Sequence, residues 1–343
     1  MSRARVVSTP LTGVDLLLAD LDGVVYAGAN AIPYAVDGIN RAQASCRVGY
    51  ITNNASRTAE SVAAHLREFG LTVTADEVVT SPQAAVVLLA GLVPAGSTIL
   101  VVGGEGLTSV VEAAGFRVTR SAEDDPAAVV QGFAPSVGWA DLAEAAYALH
   151  SVEGREDRPW VATNTDWTIP QARGIAPGNG TLVSAVHTAI GRLPIVAGKP
   201  ETAIFTAALE RFGGKKALML GDRLDTDILG ANRAGIASAH VLTGIDQAKQ
   251  LLAAPAEQRP TFILDDLRQL DAPYPEIEES VARDGSREFR SGDARVRLRG
   301  PKVELRTPKA SRIDIIRAGC AAVWGSGLAI YALDVDARLY SDA

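Results

Sequence analysis

Two aspartates stand two residues apart in Asp20-Leu21-Asp22-Gly23-Val24-Val25. A carboxylate can attack phosphorus and divide a hydrolysis into two easier displacements. A second carboxylate nearby can give a proton to the leaving alcohol and later take one from water. Gly23 lets the chain turn tightly beside a bound phosphate. Two neighbouring carboxylates would repel a phosphate dianion unless a cation offsets them. Hard oxygen ligands make Mg2+ the expected cation.

Three further clusters supply what this pair lacks. Thr52-Asn53-Asn54 brings neutral donors suited to phosphate oxygens. Lys199, between Gly198 and Pro200, is a compact positive charge able to offset both a carboxylate and a phosphate. Asp222, Asp225 and Asp227 follow Gly221 and add carboxylates for a metal. Each piece alone has an ordinary explanation, since Asp pairs occur in turns and a lone Lys is usually solvated. Their shared position is what distinguishes them.

Each cluster follows the carboxyl end of an apolar run: Val14 to Ala19, Arg47 to Thr52, Pro194 to Ala197 and Ala217 to Leu220. In open parallel sheets the ligand crevice lies beyond those ends. Runs at Ala239 to Leu242 and Thr261 to Leu264 extend the set. Thr58 to Phe69 reads as a helix, with Val62, Leu66 and Phe69 on one face and Gly70 as its C′ residue. The alternation of short runs with amphipathic stretches predicts an α/β fold, a doubly wound parallel sheet of Rossmann type. That core takes residues 1–82 and 192–270.

Residues 83–191 form a long insertion with strands of its own at Thr98 to Val102, Ala127 to Phe133 and Trp160 to Thr163. An insertion of this length is expected to be a compact α/β cap where loops over a site belong. After Ala272 the character changes. Residues 276–343 are expected to form a small α+β unit, with a hairpin around Gly300-Pro301, a helix from Ser311 to Trp324 and a last strand from Leu328 to Val335.

Composition excludes several classes. Forty acidic against thirty-three basic side chains leave a net charge of −7, with no general attraction to nucleic acid or an anionic membrane. Cys46 and Cys320 are the two cysteines, far apart in sequence, so neither a disulfide framework nor a zinc site is implied. The first seven residues lack the apolar core of a signal peptide, and Ala84 to Val93 is too short to span a bilayer. A soluble cytoplasmic protein is expected.

The ordered set Asp20-x-Asp22-Gly23, Thr52-Asn53-Asn54, Gly198-Lys199-Pro200 and Gly221-Asp222 with Asp227 resembles the haloacid dehalogenase superfamily. More narrowly, residues 10–270 resemble its cap-type IIA branch of nitrophenylphosphatases, phosphoglycolate phosphatases and glycerol-3-phosphate phosphatases. The stretches Ala162 to Pro170 and Pro177 to Val183 resemble the late segment of that branch's cap. The resemblance implies a Mg2+-dependent phosphatase with Asp20 as nucleophile and metal ligand. Asp22 is then acid and base, lending its backbone carbonyl to the metal. Gly23, Thr52, Asn53 and Asn54 hold the phosphoryl group, Lys199 balances charge, Asp222 binds the metal and Asp227 holds its water shell. Asp225 matches no acidic requirement and is expected to be an exposed turn residue.

Trp167, Thr168 and Ile169 occupy the stretch that resembles the family's specificity loop, though core packing explains Trp167 and Ile169 equally well. If they face substrate they offer bulk and a hydroxyl but no charge, which favours a small neutral leaving group. Glycerol 3-phosphate is the expected substrate, with 2-phosphoglycolate second. A phosphate-ligand sensor without turnover is the non-enzymatic alternative. The expected partner is a small phosphate ester rather than nucleic acid or membrane, and a homodimer stays open.

Other features carry ordinary readings. Gly103-Gly104-Glu105-Gly106 lacks dinucleotide spacing and reads as a turn at a helix start. His65, His150, His187 and His240 are scattered and read as structural. Between Arg283 and Arg317 eleven basic residues face five acidic ones. Arg295, Arg297 and Arg299 would line one strand face, read first as solvated and second as an anion- or partner-binding face.

Overall fold

A computed structural model of the chain describes residues 8–341, apart from 152, 155 and 172. The segment on which the signal-peptide reading rests lies outside the described residues. The chain divides into two compact units, residues 1–47 with 216–343, and residues 48–215.

The first unit is built on parallel strands. Leu16–Ala19 pairs with Ala217–Gly221, which pairs with Ala237–Val241, which pairs with Phe262–Leu264. Leu16, Leu17, Leu18 and Ala19 are all fully buried. Each buried leucine contributes about 1.5–3 kcal/mol relative to exposure, so the strand is held firmly and its end is a fixed point. Asp20 extends the ladder by one bond, its N–H donating to Leu220 O at 3.0 Å.

The same unit carries the C-terminal segment. Glu278–Val281, Arg287–Ser291, Ala294–Arg299 and Lys302–Leu305 form an antiparallel meander. In Ala294–Arg299 the side chains alternate: Ala294, Val296 and Leu298 are buried, while the three arginines point outward. Arg297 pairs with Asp284, and Arg295 lies 3.5 Å from Glu288. The first reading of these arginines, a solvated face, describes them. Helix Arg312–Gly325 starts at the Ser311 cap, whose side chain accepts from Asp314 N. It covers the inner face of the meander and shares one apolar cluster with the Ala248–Ala253 helix, including Leu251, Leu252, Ile263, Ile316 and Val323.

One expectation fails here. The last strand is Asp334–Val335, not Leu328 to Val335. Ile330–Ala332 turns as a 3-10 helix, and Leu328 and Tyr331 are exposed, so no buried face holds the longer segment extended.

The second unit holds Arg47–Thr52 parallel to Val78–Thr80, and a five-stranded parallel sheet. In that sheet Ile195–Val196, Trp160–Ala162, Ala128–Gln131, Thr98–Val102 and Arg117–Thr119 follow one another. Helices Trp139–Leu149 and Asn179–Ile190 bury one of its faces around Leu100, Val129 and Trp160. Helix Ala59–Glu68 begins at Thr58, which accepts from Ser61 N, and Gly70 takes φ +96° just past its end. Gly104 is the N-cap of helix Glu105–Ala113, as its glycine-rich stretch suggested. The hairpin Thr168–Gln171 with Gly174–Pro177 was not anticipated. Among the described residues no helix is long and apolar enough to cross a membrane.

Candidate active site

In the first unit, three acidic side chains converge. Asp20 stands directly after Leu16–Ala19, Asp222 directly after Ala217–Gly221, and Asp227 in the single π-helical turn Leu224–Ile228. Each offers a carboxylate oxygen, and these oxygens all lie within 4.8 Å of one another. Asp20 is 8% exposed, and Asp222 and Asp227 are each 1% exposed. Three buried like charges this close repel strongly without a cation, and an all-carboxylate donor set suits a hard divalent ion such as Mg2+.

The surrounding backbone is shaped to this cluster. A Cβ on Gly23 would lie 2.3 Å from Asp222 Oδ2, and one on Gly244 would lie 1.9 Å from the same atom. Gly23 also adopts φ +84°, which disfavours other residues. Ile245 N donates to Asp222 Oδ2 at 2.7 Å, and Asp246 N donates to Asp222 O at 3.1 Å. Thr243 Oγ1 donates to Gly23 O at 2.7 Å, tying the loop after Ala237–Val241 to the loop after the first strand. Asp227 packs against Gly221, where a Cβ would meet it at 2.1 Å, and accepts from Arg223 N at 3.1 Å. Asp246 accepts from Leu224 N at 2.7 Å and braces the π turn, while burial pushes its carboxyl above the ordinary range.

Asp22, two residues after Asp20, is exposed. Asp225 is exposed and bonded to Arg223 through both oxygens, the turn residue anticipated for it. His240 is fully buried, its Nε2 donating to Asp246 O at 2.8 Å, and burial lowers its pKa to about 4. It is a neutral structural group.

In the second unit, Thr52, Asn53, Asn54 and Lys199 stand together. Thr52 is 3% exposed at its strand end, and its Oγ1 accepts from Asn54 N at 3.1 Å. Asn53 brackets the backbone of Lys199: its Oδ1 accepts from Lys199 N at 2.8 Å, and its Nδ2 donates to Lys199 O at 3.0 Å. The Asn54 Oδ1 accepts from Ser56 N and Arg57 N. The Asn53 side chain thus serves the backbone of Lys199, and Asn54 Oδ1 that of Ser56 and Arg57. Lys199 is 3% exposed. A Cβ on Gly198 would meet Asn53 Oδ1 and Thr163 O at 2.5 Å each.

Beside them lies the loop 163–168. Asn164 Nδ2 donates to Asn53 O at 2.8 Å, and Asn53 Nδ2 lies 3.3 Å from both oxygens of Asp166. Trp167 is 66% exposed, which removes the core-packing explanation for it. Thr168 is exposed and Ile169 half-buried.

Sequence reasoning missed Thr243, Gly244, Asp246, Asn164 and Asp166. For the first three a signal existed, because they follow the run Ala239 to Leu242 as the other clusters follow theirs.

Comparison with known proteins agrees with this architecture. Residues 17–117 match the model for haloacid dehalogenase-like hydrolases, and residues 196–270 match a second, HAD-hydrolase-like model. The chain is 49% identical over 256 residues to a D-glycerol 3-phosphate phosphatase of Mycobacterium tuberculosis, covering 75% of this chain and 70% of that protein. It resembles the crystal structure of a glycerol phosphate phosphatase of M. tuberculosis in complex with magnesium, with TM-score 0.81 and 41% identity over 96% of this chain and 95% of that one. A p-nitrophenyl phosphatase of Archaeoglobus fulgidus matches with TM-score 0.68 and 26% identity, over 75% of this chain and 98% of its own. The chain belongs to the haloacid dehalogenase-like hydrolases. Within them it falls in the IIA branch of phosphatases.

Proposed function

We propose that the protein is a Mg2+-dependent phosphatase that hydrolyses glycerol 3-phosphate through a phospho-aspartate on Asp20. The observation that carries this reading is the buried triad Asp20, Asp222 and Asp227, with Asp20 at the carboxyl end of its strand. Asp20 and Asp222, with the Asp22 backbone carbonyl, would hold Mg2+, and Asp227 its water shell. When bound, the ion offsets the charge of carboxylate and phosphate.

Asp20 attacks phosphorus, and the bond from phosphorus to the glycerol oxygen breaks. That oxygen takes the proton of Asp22, and glycerol leaves. Water then attacks phosphorus and gives a proton to Asp22. The bond from phosphorus to the Asp20 oxygen breaks, and inorganic phosphate leaves. Thr52, Asn53 and Asn54 orient the phosphoryl oxygens, the first two through the Thr52 hydroxyl and the Asn53 main-chain N–H. Lys199 balances their charge. Gly23 gives the chain room beside the phosphate.

Residues 83–191 act as the cap that excludes water and chooses the alcohol. Trp167, Thr168 and Ile169 offer it a ring, a hydroxyl and apolar bulk. The charged group nearest them in the loop is Asp166, a carboxylate. It favours the neutral glycerol over the anionic glycolate as leaving group. The similarity of nearly the whole chain, C-terminal unit included, to a glycerol phosphate phosphatase supports the same choice. Two free cysteines suit a cytoplasmic protein, and the net charge of −7 speaks against a nucleic-acid partner.

Phosphate release from glycerol 3-phosphate, 2-phosphoglycolate and p-nitrophenyl phosphate, with and without Mg2+, tests this. Metal-dependent turnover fastest on glycerol 3-phosphate is expected. A preference for 2-phosphoglycolate overturns the substrate. Tight phosphate binding without turnover of any ester, by folded protein, makes it a sensor.

A further inference from the structure

The amide of Asn53 could sit either way round. Its oxygen and NH2 are nearly isosteric, and exchanging them costs little in shape. Only one orientation matches the backbone of Lys199, with Oδ1 facing Lys199 N and Nδ2 facing Lys199 O. The flipped amide would set donor against donor and acceptor against acceptor. The carboxylate of Asp166 lies with both oxygens 3.3 Å from Nδ2. It accepts from an NH2 group but repels an oxygen, and so it selects the matching orientation.

The Asp166 loop keeps its shape by other bonds. Asp166 N donates to Asn164 Oδ1, Gly180 N donates to Asp166 O, and Gly178 N donates to Trp167 O. Asn179 Nδ2 donates to Asn164 O at 2.7 Å. The half-buried Asp166 carboxylate thus meets Asn53 from a loop that other bonds hold in shape.

We propose that Asp166 is a positioning residue: its carboxylate locks the Asn53 amide in the orientation that grips Lys199, and so fixes where the lysine charge lies. This rests on the reading that Lys199 serves the phosphoryl group. It makes the loop that carries Trp167 a support of the phosphate site as well as a contact for the alcohol.

The test is a double-mutant cycle of Asp166→Ala and Asn53→Ala, with Asp166→Asn as the conservative variant. Two readouts are followed: kcat on glycerol 3-phosphate, and the affinity for inorganic phosphate by calorimetry. Asp166→Ala is expected to lower kcat and weaken phosphate binding by roughly tenfold each, the scale of a small misplacement of a charged group. KM should change less than kcat. Asp166→Asn, whose Oδ1 can still accept from Nδ2, should recover most of the loss. In the Asn53→Ala background, Asp166→Ala should cost nothing further. Parental kcat and phosphate affinity in Asp166→Ala would overturn the proposal, as would losses that simply multiply in the double variant. If Asp166→Ala does not melt cooperatively, Asp166→Ser replaces it in the cycle. A parental protein that turns over no ester counts against the proposed function, while the phosphate-affinity cycle still decides the role of Asp166.

Discussion

The carboxylate of Asp222 fills the space that a side chain at Gly244 would need, with Oδ2 1.9 Å from where a Cβ would stand. Gly244→Ala must therefore push Asp222 out of place. Because the three atoms nearest that Cβ all belong to Asp222, the damage should read as weaker metal binding. The Mg2+ concentration for half-maximal activity is expected to rise about tenfold or more, the size typical of disturbed groups around a metal. Titrating activity with Mg2+ measures it. An unchanged midpoint would mean that Asp222 does not bind the metal.

Asp20→Asn keeps the volume of the side chain but removes the proposed nucleophile. Turnover is expected to fall by roughly a thousandfold or more, with the melting temperature kept or raised because one of three crowded charges is gone. A rapid-quench search for acid-stable phosphoprotein should find label in the parent and none in the variant.

Asp227→Asn retains a group able to accept from Arg223 N but loses a charge. It should leave kcat at saturating Mg2+ within about tenfold and shift the Mg2+ midpoint upward. A collapse of kcat that no metal concentration restores would instead place Asp227 in the chemistry itself.

The buried His240 makes stability depend on pH. Its folded pKa is about 4 against an ordinary 6.5, so the unfolded chain takes up its proton first as pH falls. Its contribution is present above about pH 6.5 and is lost on acidification towards pH 4, by on the order of 3 kcal/mol. Urea midpoints across that range should fall for the parent. In His240→Gln, which can still donate to Asp246 O, this part of the slope should vanish.

Arg317 is 5% exposed, donates to Ile263 O at 2.9 Å and to Gln269 Oε1 at 2.9 Å, and lies over the Tyr274 ring at 4.3 Å. Arg317→Ala should cost about 2–4 kcal/mol, because it strips partners from buried polar groups and opens a cavity. Truncation after Ala272 uncovers Leu251, Leu252 and Ile263 and should yield aggregating protein, rather than an active enzyme that merely lacks regulation. Solubility and melting of the two variants check this.

The acidic triad was legible in the sequence because parallel strands deliver polar residues at their carboxyl ends. Asp20 and Asp222 follow from that rule, but it does not separate Asp225 from Asp227, and that choice rests on the resemblance to the haloacid dehalogenase superfamily. Gly244 was not legible, since its contribution is the absence of a side chain beside Asp222, and residue types do not announce empty space. The side-chain partners of Asn53 were not legible for a different reason. An amide suits a phosphate oxygen as well as a peptide, and only the fold shows that Lys199 has claimed it. The segment from Leu328 to Val335 has the apolar content of a strand, but nothing covers Tyr331, and a strand without a buried face does not persist.

Asp15 and Lys216 are hydrogen-bonded although 201 residues apart in sequence. The first strand therefore waits, during synthesis, for the partner on its Ala217 side until two-thirds of the polypeptide has emerged. Closing so long a loop adds only a modest entropic term, but distant pairing slows the search. A nascent chain cannot assemble the buried acidic triad early, so on the proposed function the ability to capture metal arrives as a late event of folding and reports on its completion.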